Sequence, residues 1–378
     1  MKIYYTKDNL TPDIDASLKP PVVLRDTGED NRDYSRHYRC WQSAPCLVRT
    51  PKGRLLCTFS GDNSTEAWEC PNNYNQISYS DNGRDWHQEA FVIDHPDSVR
   101  MHEPILWLDP QGRLWHFWSQ SYEWWDGRGG VWAMHTEDPD AADIVWSDPV
   151  RLCDGVMATP PIAVSPDRWL YPVSVWKYYK NQRQHLPELE KSNVYVSVDG
   201  GRTLRFLGAA DEPDTTFDEN TLAQRRDGSL LMTMRCTDHI AYAESFDGGA
   251  HWTVPQKLMD HASARAYLAA LPSGNLVLVT NDHPKYRRDM TAFLSTDGGK
   301  TWGHKLLLDA RQETSYPAGC VTGDGTVCVA FDYNRRTDRE ILYACFTEED
   351  ILRGNTGFVR GCAAKAGSRL NDVKHPIY

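Results

Sequence analysis

Several short segments of the chain combine charged and aromatic side chains. The segment SYPAG places Tyr316 before a proline and a β-rich run, RMHEP places His102 beside a glutamate, and YEWWD contains Trp124. Charged groups can act on a reacting sugar ring while aromatic faces pack against its apolar surface, so these segments would form a carbohydrate site if the fold brought them together. Taken singly, each segment is equally consistent with ordinary loop packing.

A repeated turn sequence indicates which fold would bring them together. Four segments share the pattern Ser-x-Asp-x-Gly-x-x-Trp, with Tyr79 and Leu204 as departures: YSDNGRDW (79–86), SVDGGRTL (197–204), SFDGGAHW (245–252) and STDGGKTW (295–302). Each lies between two strand-like runs, which predicts a hairpin turn with a structural Asp. The Asp spacing is 48 residues from Asp199 to Asp247 and 50 from Asp247 to Asp297, which is typical of one four-stranded propeller blade.

Counting the strand-like runs predicts an all-β fold, a six-bladed β-propeller that forms a single domain over residues 1–378. The last unit has three evident strands, so the N-terminal strand PPVVLRD, at about 21–27, is predicted to complete blade six and close the ring. Helix signals are confined to TEEDILRG near residue 347 and HLPELEKS near residue 185.

Strand direction predicts which rim of the propeller holds the chemistry. The four strands of a blade alternate in direction, so segments before the first strand and after the second meet on one rim. The segments with Tyr316, His102 and Trp124 all belong to that rim. The repeated turns, which join the third and fourth strands, lie on the other.

The composition argues against two classes of partner. The chain has a net charge of -11, with 52 acidic against 41 basic residues. Nucleic acids and anionic membranes are therefore not expected, because phosphate binding requires clustered Lys and Arg. No signal peptide or long apolar run is evident, which predicts a cytoplasmic protein.

Cysteine and histidine spacing predicts neither disulfides nor a metal site. The 10 cysteines include no CxxC pair and mostly fall in strand-like runs, as expected for free buried thiols. The 13 histidines are scattered rather than paired at ligand spacing. We therefore expect no metal and no cofactor, and the sequence permits a homo-oligomer.

From about residue 36 to 352 the chain resembles the sialidase superfamily, whose members are six-bladed propellers with such Asp-box turns. It is most similar to the bacterial sialidase-like BNR-repeat proteins. The resemblance implies that Tyr316 is the nucleophile and that Glu219, in FDENTL, accepts its proton. It also implies that Asp62, in SGDNST, or His102 protonates the leaving oxygen.

The resemblance further implies arginines that bind a substrate carboxylate. Arg235 matches one such position, and Arg287 or Arg288 matches a second. The family's blade-one arginine is absent, because Ser43 stands in its place. That departure puts sialidase activity itself in question. Residues that could supply further contacts to the substrate are Arg39, Gln42, Trp124 and Arg265.

These features favour an exo-acting glycoside hydrolase that releases an acidic sugar, of sialic, ulosonic or uronic type, from an oligosaccharide or glycan. A neutral phenol is not repelled by the carboxylate of such a substrate, and its pKa of about 10 requires a neighbouring base. Two alternatives remain open. A uronate lyase would use Arg235, Tyr316 and His102, and a carbohydrate-binding propeller would have no turnover.

Overall fold

The computed structural model describes residues 2, 4–5, 9, 13, 15–64, 68–177 and 185–370, apart from the side chain of Thr216. These residues form six antiparallel sheets arranged as a β-propeller, which confirms the all-β, six-bladed prediction. The six-residue helix α1 (Glu348–Arg353) and a 3-10 turn at Pro187–Leu189 lie where helix signals were found, and a second 3-10 turn spans Ala16–Leu18. None of the helices in this part of the chain has the length and apolar character that a membrane crossing requires.

The first three blades follow one another along the chain. Blade one contains β1 (Val22–Arg25), β2 (Trp41–Arg49), β3 (Leu55–Asp62), β4 (Tyr74–Ser80) and β5 (His87–Asp94). Blade two contains β6 (Val99–Leu108), β7 (Leu114–Tyr122), β8 (Val131–Thr136) and β9 (Val150–Cys153). Blade three contains β10 (Ile162–Ser165), β11 (Arg168–Ser174), β12 (Ser192–Ser197) and β13 (Arg205–Ala210).

The other three blades repeat this arrangement. Blade four contains β14 (Thr215–Gln224), β15 (Leu230–Cys236), β16 (His239–Ser245) and β17 (Gln256–Asp260). Blade five contains β18 (Tyr267–Ala270), β19 (Leu276–Asn281), β20 (Arg288–Ser295) and β21 (His304–Gln312). Blade six contains β22 (Thr314–Val321), β23 (Val327–Tyr333), β24 (Glu340–Phe346) and β25 (Val359–Lys365). At the axis β2 contacts both β6 and β22, which closes the ring.

The prediction that the N-terminal strand at 21–27 completes blade six is wrong. That segment forms β1, which pairs with β5 as the outermost strand of blade one. Blade six takes its fourth strand from β25, which pairs with β24. Its sequence, VRGCAAK, is rich in Gly and Ala, which have low β-propensity, so the strand gives little signal.

The seam between blades six and one is closed by side chains. The Asp332 carboxylate accepts hydrogen bonds from the Ser43 hydroxyl, at 2.5 Å, and from the Ala44 N–H, at 3.2 Å. The Gln42 amide donates to the backbone carbonyl of Ala364 at 3.2 Å. Apolar residues of both blades also pack together in one buried cluster. The ring therefore closes without a strand shared between the two ends of the chain.

Three of the four repeated turns fold as the sequence predicts. The Asp199, Asp247 and Asp297 carboxylates each accept two backbone N–H groups of their own turn at 2.9–3.1 Å. In the first turn Asn82 takes this place, accepting two N–H groups at 2.8 Å, while Asp81 pairs with Arg54 instead. The turns are self-contained caps that satisfy their own backbone groups.

A second repeated feature lies at the opposite rim, near the start of the axial strands. In blades one, two and six the register of the first strand pair shifts by a bulge. A bulge re-aims one side chain out of the normal alternation of a strand. The bulged residues, each with positive φ and followed by proline, are Ala44 (52°), Glu103 (49°) and Tyr316 (54°).

Candidate functional site

Tyr316 lies at the centre of an arginine cluster. The guanidinium carbons are 4.8 Å (Arg335), 4.9 Å (Arg287), 5.0 Å (Arg265) and 5.9 Å (Arg235) from the centroid of its ring. The tyrosine is only 8% exposed. Its backbone has φ of 54°, which costs a bulky residue about 1–3 kcal/mol and indicates that the surrounding packing holds it in place.

Two of these arginines are neutralised by buried glutamates. Arg235 forms an ion pair with Glu219 at 2.9 Å and donates to the Ser263 hydroxyl at 3.2 Å. Arg265 forms an ion pair with Glu103, the bulged residue of blade two. Burial raises the pKa of Glu103, and the nearby Glu219 raises it further against the effect of Arg265. The two buried ion pairs thus lie side by side next to the ring of Tyr316.

Arg287 and Arg335 are more loosely held. Arg287 donates to the Ser263 carbonyl at 2.8 Å, and no carboxylate of the described residues lies within ion-pair distance of it. Arg335 lies 3.9 Å from both Asp332 and Glu69, and it donates to the Ser43 hydroxyl at 3.4 Å. These two guanidinium groups are therefore the ones best placed to bind an anionic ligand.

Arg335 lies next to the position in blade one where the resemblance expects an arginine. Ser43 stands where the resemblance expects an arginine, and the Arg335 guanidinium, from the loop after β23, contacts its hydroxyl. Arg335 was not among the site residues predicted from the sequence, which offered Arg265 of blade five as the further positive charge. Blade six supplies the positive charge across the seam.

Charge sets the ionisation of Tyr316. Burial opposes loss of the phenolic proton, but the positive charges of Arg287, Arg235 and Arg335 outweigh burial and lower the pKa of Tyr316 below its usual value. The negative charge of Glu219 acts against them. At a given pH a larger fraction of Tyr316 is therefore ionised than of a free phenol, and the phenolate is the more nucleophilic form.

Glu69 is a further carboxylate of the site that the sequence analysis missed. It lies on the loop after β3, 3.6 Å from Arg100 and 3.9 Å from Arg335. Burial opposes its ionisation, but Arg100 and Arg335 outweigh burial and lower the pKa of Glu69. Its side chain is 29% exposed, against 4% for Glu219 and 9% for Glu103.

One buried amide fixes the backbone on both sides of Glu69. The Asn73 side chain accepts the N–H of Cys70 at 2.9 Å and donates to the carbonyl of Trp68 at 3.0 Å. Asn72, next along the chain, exchanges hydrogen bonds with the backbone of Tyr5 at 2.7 and 3.2 Å. Residues 68–73 are thus held in a fixed position beside the arginine cluster.

An aromatic wall borders the site on the side of blades two to four. Phe217 lies beneath Arg235, whose guanidinium carbon is 5.2 Å from the centre of the ring. Trp124, as predicted on this rim, lies 6.4 Å from Phe217 and 6.1 Å from Trp176 between ring centres. Trp124 is half-buried, and the Arg100 guanidinium carbon lies 5.9 Å from the centre of its ring.

His102 lies behind this wall. It is 1% exposed, its Nε2 is 3.3 Å from the Ser121 hydroxyl, and its ring is 5.6 Å from that of Trp176. Burial, helped by the charge of Arg100, lowers the pKa of His102 well below its usual value. The imidazole is therefore neutral.

Besides His102, four more predicted site residues lie outside the arginine cluster. Asp62 is fully buried. Its carboxylate accepts hydrogen bonds from the Ser64 N–H at 2.8 Å and the Ser64 hydroxyl at 2.9 Å, and so fixes the backbone just after β3. Burial raises the pKa of Asp62. Arg288 pairs with its neighbour Asp289 at 2.7 Å. Arg39 and Gln42 hydrogen-bond each other at 2.9 Å inside blade one.

The structure thus brings Tyr316, Glu219, Arg235, Arg287 and Arg265 together, with Trp124 at the border. Five arginines surround the site, one more than the four carboxylates Glu69, Glu103, Glu219 and Asp332. The excess positive charge suits an anionic ligand. Across the described residues, no group of three or more His, Cys, Asp or Glu side chains is placed to hold a metal ion.

Comparison with family models gave one match. The model described as a BNR repeat-like domain matches residues 76–329. No match was found among curated protein sequences.

Several solved structures have a similar fold. The Hadza microbial sialidase Hz136 has a TM-score of 0.68 and 19% identity, covering 84% of this chain and 68% of its own. The leech intramolecular trans-sialidase, complexed with 2,7-anhydro-Neu5Ac, has a TM-score of 0.63 and 11% identity, covering 88% and 71%. The Penicillium chrysogenum α-L-arabinanase, complexed with arabinobiose, has a TM-score of 0.58 and 14% identity, covering 88% and 99%. At these identities the likeness shows the fold alone.

Proposed function

The chain belongs to the BNR repeat-like family of sialidase-like propellers, and we propose that it is an exo-acting glycoside hydrolase that releases an acidic sugar from an oligosaccharide or glycan. The observation that carries the proposal is the position of Tyr316, a buried phenol of lowered pKa among four guanidinium groups. Neutral sugars, such as the arabinobiose bound by the fungal relative, would leave these charges unused.

In this proposal Tyr316 attacks the anomeric carbon and Glu219 takes the phenolic proton. Arg235, which is paired with Glu219, keeps that carboxylate beside the tyrosine. A covalent sugar–tyrosine intermediate forms as the leaving oxygen takes its proton from Glu69. Water then attacks the anomeric carbon and gives a proton to the Glu69 carboxylate, while the bond to Tyr316 breaks and Glu219 returns the phenolic proton. Two displacements at one carbon give net retention of configuration.

Arg287 and Arg335 bind the substrate carboxylate. Arg235 and Arg265 are already paired with glutamates, so an anion gains most from the two guanidinium groups without close carboxylate partners. This places the acidic group toward blades five and six. The rest of the substrate then extends toward Trp124 and the aromatic wall, where apolar sugar faces can pack.

Glu69 is the proton donor to the leaving oxygen in this proposal, in place of Asp62 or His102. It is the most exposed of the glutamates in the cluster, whereas Asp62 is fully buried and His102 lies behind the aromatic wall. In the empty site Arg100 and Arg335 lower the pKa of Glu69. A bound carboxylate neutralises Arg335, which raises that pKa toward the value a proton donor requires.

The test is a panel of 4-methylumbelliferyl glycosides of N-acetylneuraminic acid, an ulosonic acid, glucuronic acid and arabinofuranose. We expect release from at least one acidic member and none from the arabinofuranoside. Release from the neutral member alone would overturn the proposal. An unsaturated product absorbing in the near ultraviolet would favour the lyase, for which Tyr316 would serve as the base. Binding of an acidic sugar without turnover would favour the carbohydrate-binding alternative.

A further inference from the structure

We propose that Cys320, Cys328 and Cys345 form a three-thiol oxidation site in blade six. A hydroperoxide oxidises Cys320, a disulfide to Cys328 follows, and exchange passes the disulfide on to Cys345. Cys320 lies four residues after Tyr316 on β22, and this site does not depend on the proposed hydrolase activity.

The strand register places the three cysteines in one row. Cys320 of β22 is the direct partner of Cys328 of β23, which is in turn the direct partner of Cys345 of β24. Direct partners in an antiparallel pair have Cα atoms about 4.5–5.5 Å apart and side chains on the same face. A disulfide requires Cα atoms about 4.4–6.8 Å apart, so neighbouring members of the row can be linked without moving a strand.

The row runs straight across the blade, and this suits disulfide exchange. Neighbouring strands lie about 4.7–4.9 Å apart, so three partners on successive strands are almost collinear. In exchange a thiolate attacks one sulfur while the other sulfur leaves through a mixed disulfide. Cys328, in the middle, is the sulfur that both outer cysteines can reach.

The two outer thiols face different solvent-accessible spaces. Cys320 lines a cavity of about 780 Å³ at the end of the axis opposite Tyr316, together with Arg49 and Val321. Cys345 lines a groove of about 860 Å³ that borders Asn82 and Tyr343. Cys328, between them, is fully buried. A small oxidant can therefore reach Cys320 or Cys345 but not the central thiol.

Cys320 is the member best prepared to react first. A hydrogen bond from Cys328 lowers the pKa of Cys320, and the Arg49 backbone N–H also donates to its sulfur at 3.4 Å. The same coupling raises the pKa of Cys328, which keeps its proton. A thiolate is the form that attacks peroxides.

The steps balance with the hydroperoxide as the oxidant. The Cys320 thiolate attacks the peroxide, an S–O bond forms, and the O–O bond breaks to release an alcohol or water after proton uptake. Cys328 then attacks the sulfenic acid, an S–S bond forms, and the S–O bond breaks to release water. The Cys345 thiolate next attacks the Cys328 sulfur and releases the Cys320 thiolate.

Peptide mass spectrometry of the folded full-length chain tests this site. Trypsin leaves Cys320 and Cys328 on one peptide, 312–335, and Cys345 on another, 340–353. After treatment with equimolar hydrogen peroxide and then alkylation, we expect peptide 312–335 to be lighter by two hydrogen atoms than the reduced, unalkylated peptide, because Cys320 and Cys328 are linked. A fraction of this peptide should instead be joined to peptide 340–353 through Cys328 and Cys345. Cys345→Ser should abolish the joined peptide and keep the internal link.

Cys328→Ser, with Cys328→Ala as a second variant in case the hydroxyl disturbs the core, should give neither link. Dimedone should then trap the sulfenic acid on Cys320. Cys362→Ser is the matched control, since Cys362 is exposed on the same blade and outside the row, and it should behave as the parent chain. Absence of both links in the parent chain, or links that persist without Cys328, would overturn the proposal.

Discussion

The two rims of the propeller hold carboxylates in different surroundings, exposed turns on one rim and a buried cluster on the other. On the turn rim, hydrogen bonds from Thr203 and Ser197 overcome the effect of partial burial and lower the pKa of Asp199 to about 2. On the site rim, burial raises the pKa of Asp218, next to Glu219, to about 6. The turn carboxylates stabilise the fold as anions. On the site rim burial disfavours the anions of Asp218 and Glu103, while Arg100 and Arg335 outweigh burial at Glu69. The same fold thus separates residues that hold it together from residues that can react.

The two rims also use repetition differently. The turns repeat both backbone and residue type, so each one performs the same local task. The bulges before proline repeat the backbone but present Ala44, Glu103 and Tyr316, three side chains with different chemistry. On the site rim, therefore, the backbone conformation is repeated while the side chain at the bulge differs from blade to blade.

The strongest test of this contrast is Tyr316→Phe. Loss of one member of a nucleophile–base pair lowers kcat by up to about 10⁶-fold, while the aromatic packing is kept. Steady-state rates on the acidic glycoside that the parent chain cleaves would measure the effect. Tyr333→Phe, at the end of β23, is the matched control and should retain full activity. Equal rates for the Tyr316→Phe variant and the parent chain would remove Tyr316 from the chemistry.

The next largest effect is expected for Glu69→Gln. Loss of a proton donor costs roughly 10²–10⁴-fold in kcat for substrates with poor leaving groups and much less for aryl glycosides, whose leaving group needs no proton. Rates on an aryl glycoside and on the matching oligosaccharide would show the difference. If Asp62→Asn shows this pattern and Glu69→Gln does not, Asp62 is the donor.

Alanine substitutions of three arginines should distinguish those that bind the substrate from one that does not. Arg287→Ala and Arg335→Ala should each raise KM by about 10- to 100-fold, since a hydrogen bond to a charged group contributes about 1.5–3 kcal/mol. Arg288→Ala, which removes the neighbour paired with Asp289, should leave KM unchanged. A raised KM for Arg288→Ala alone would place the anion elsewhere.

The pH dependence of stability should differ between the rims. Because the folded-state pKa of Asp218 is raised to about 6, ionisation of Asp218 destabilises the fold as the pH rises from about 4 through 6. Asp218→Asn should thus stabilise the chain at pH 8, by up to about 3 kcal/mol, and not at pH 4. Denaturant unfolding at both pH values measures this, with the exposed Asp214→Asn as control. A gain of equal size at both values would contradict the assignment.

The smallest effect is expected on the turn rim. Asp297 is largely exposed, and hydrogen bonds from Thr301 and Ser295 overcome the effect of partial burial and lower its pKa to about 2. Its contribution is present above pH 4 and lost as the pH falls through 2. Asp297→Ala should cost about 1 kcal/mol or less in unfolding free energy at pH 7, after allowance for solvent screening, with no change in kcat. A large loss of activity would show that the two rims are not independent.

Much of this molecule could be predicted from its sequence, because repetition carries the information. The spacing of Asp199, Asp247 and Asp297 predicted the blade length, and the alternating strand direction predicted the rim on which Tyr316, Glu219 and Arg235 meet. The choice between Arg287 and Arg288 required the direction of each side chain, which strand alternation at an irregular strand start does not supply.

The site residues that were not predicted from the sequence depend on contacts between blades. Arg335 acts at blade one from blade six, and Glu69 lies on a long loop without repeat character. The signal for Glu103 was present as a residue before proline at the same place in the repeat as Tyr316. Aligning those prolines, rather than the turns alone, would have identified it.

The seam between the first and last blades has one further consequence. The Asp332 carboxylate that fastens blade six to Ser43 also lies beside Arg335, so the joint of the ring and the anion pocket share atoms. Any loosening of that joint would displace the Arg335 guanidinium, which we propose binds the substrate anion, before the blades themselves unfold. On gentle heating, loss of ligand affinity should therefore precede loss of β-structure. Ligand affinity would thus report on opening of the ring before the blades unfold.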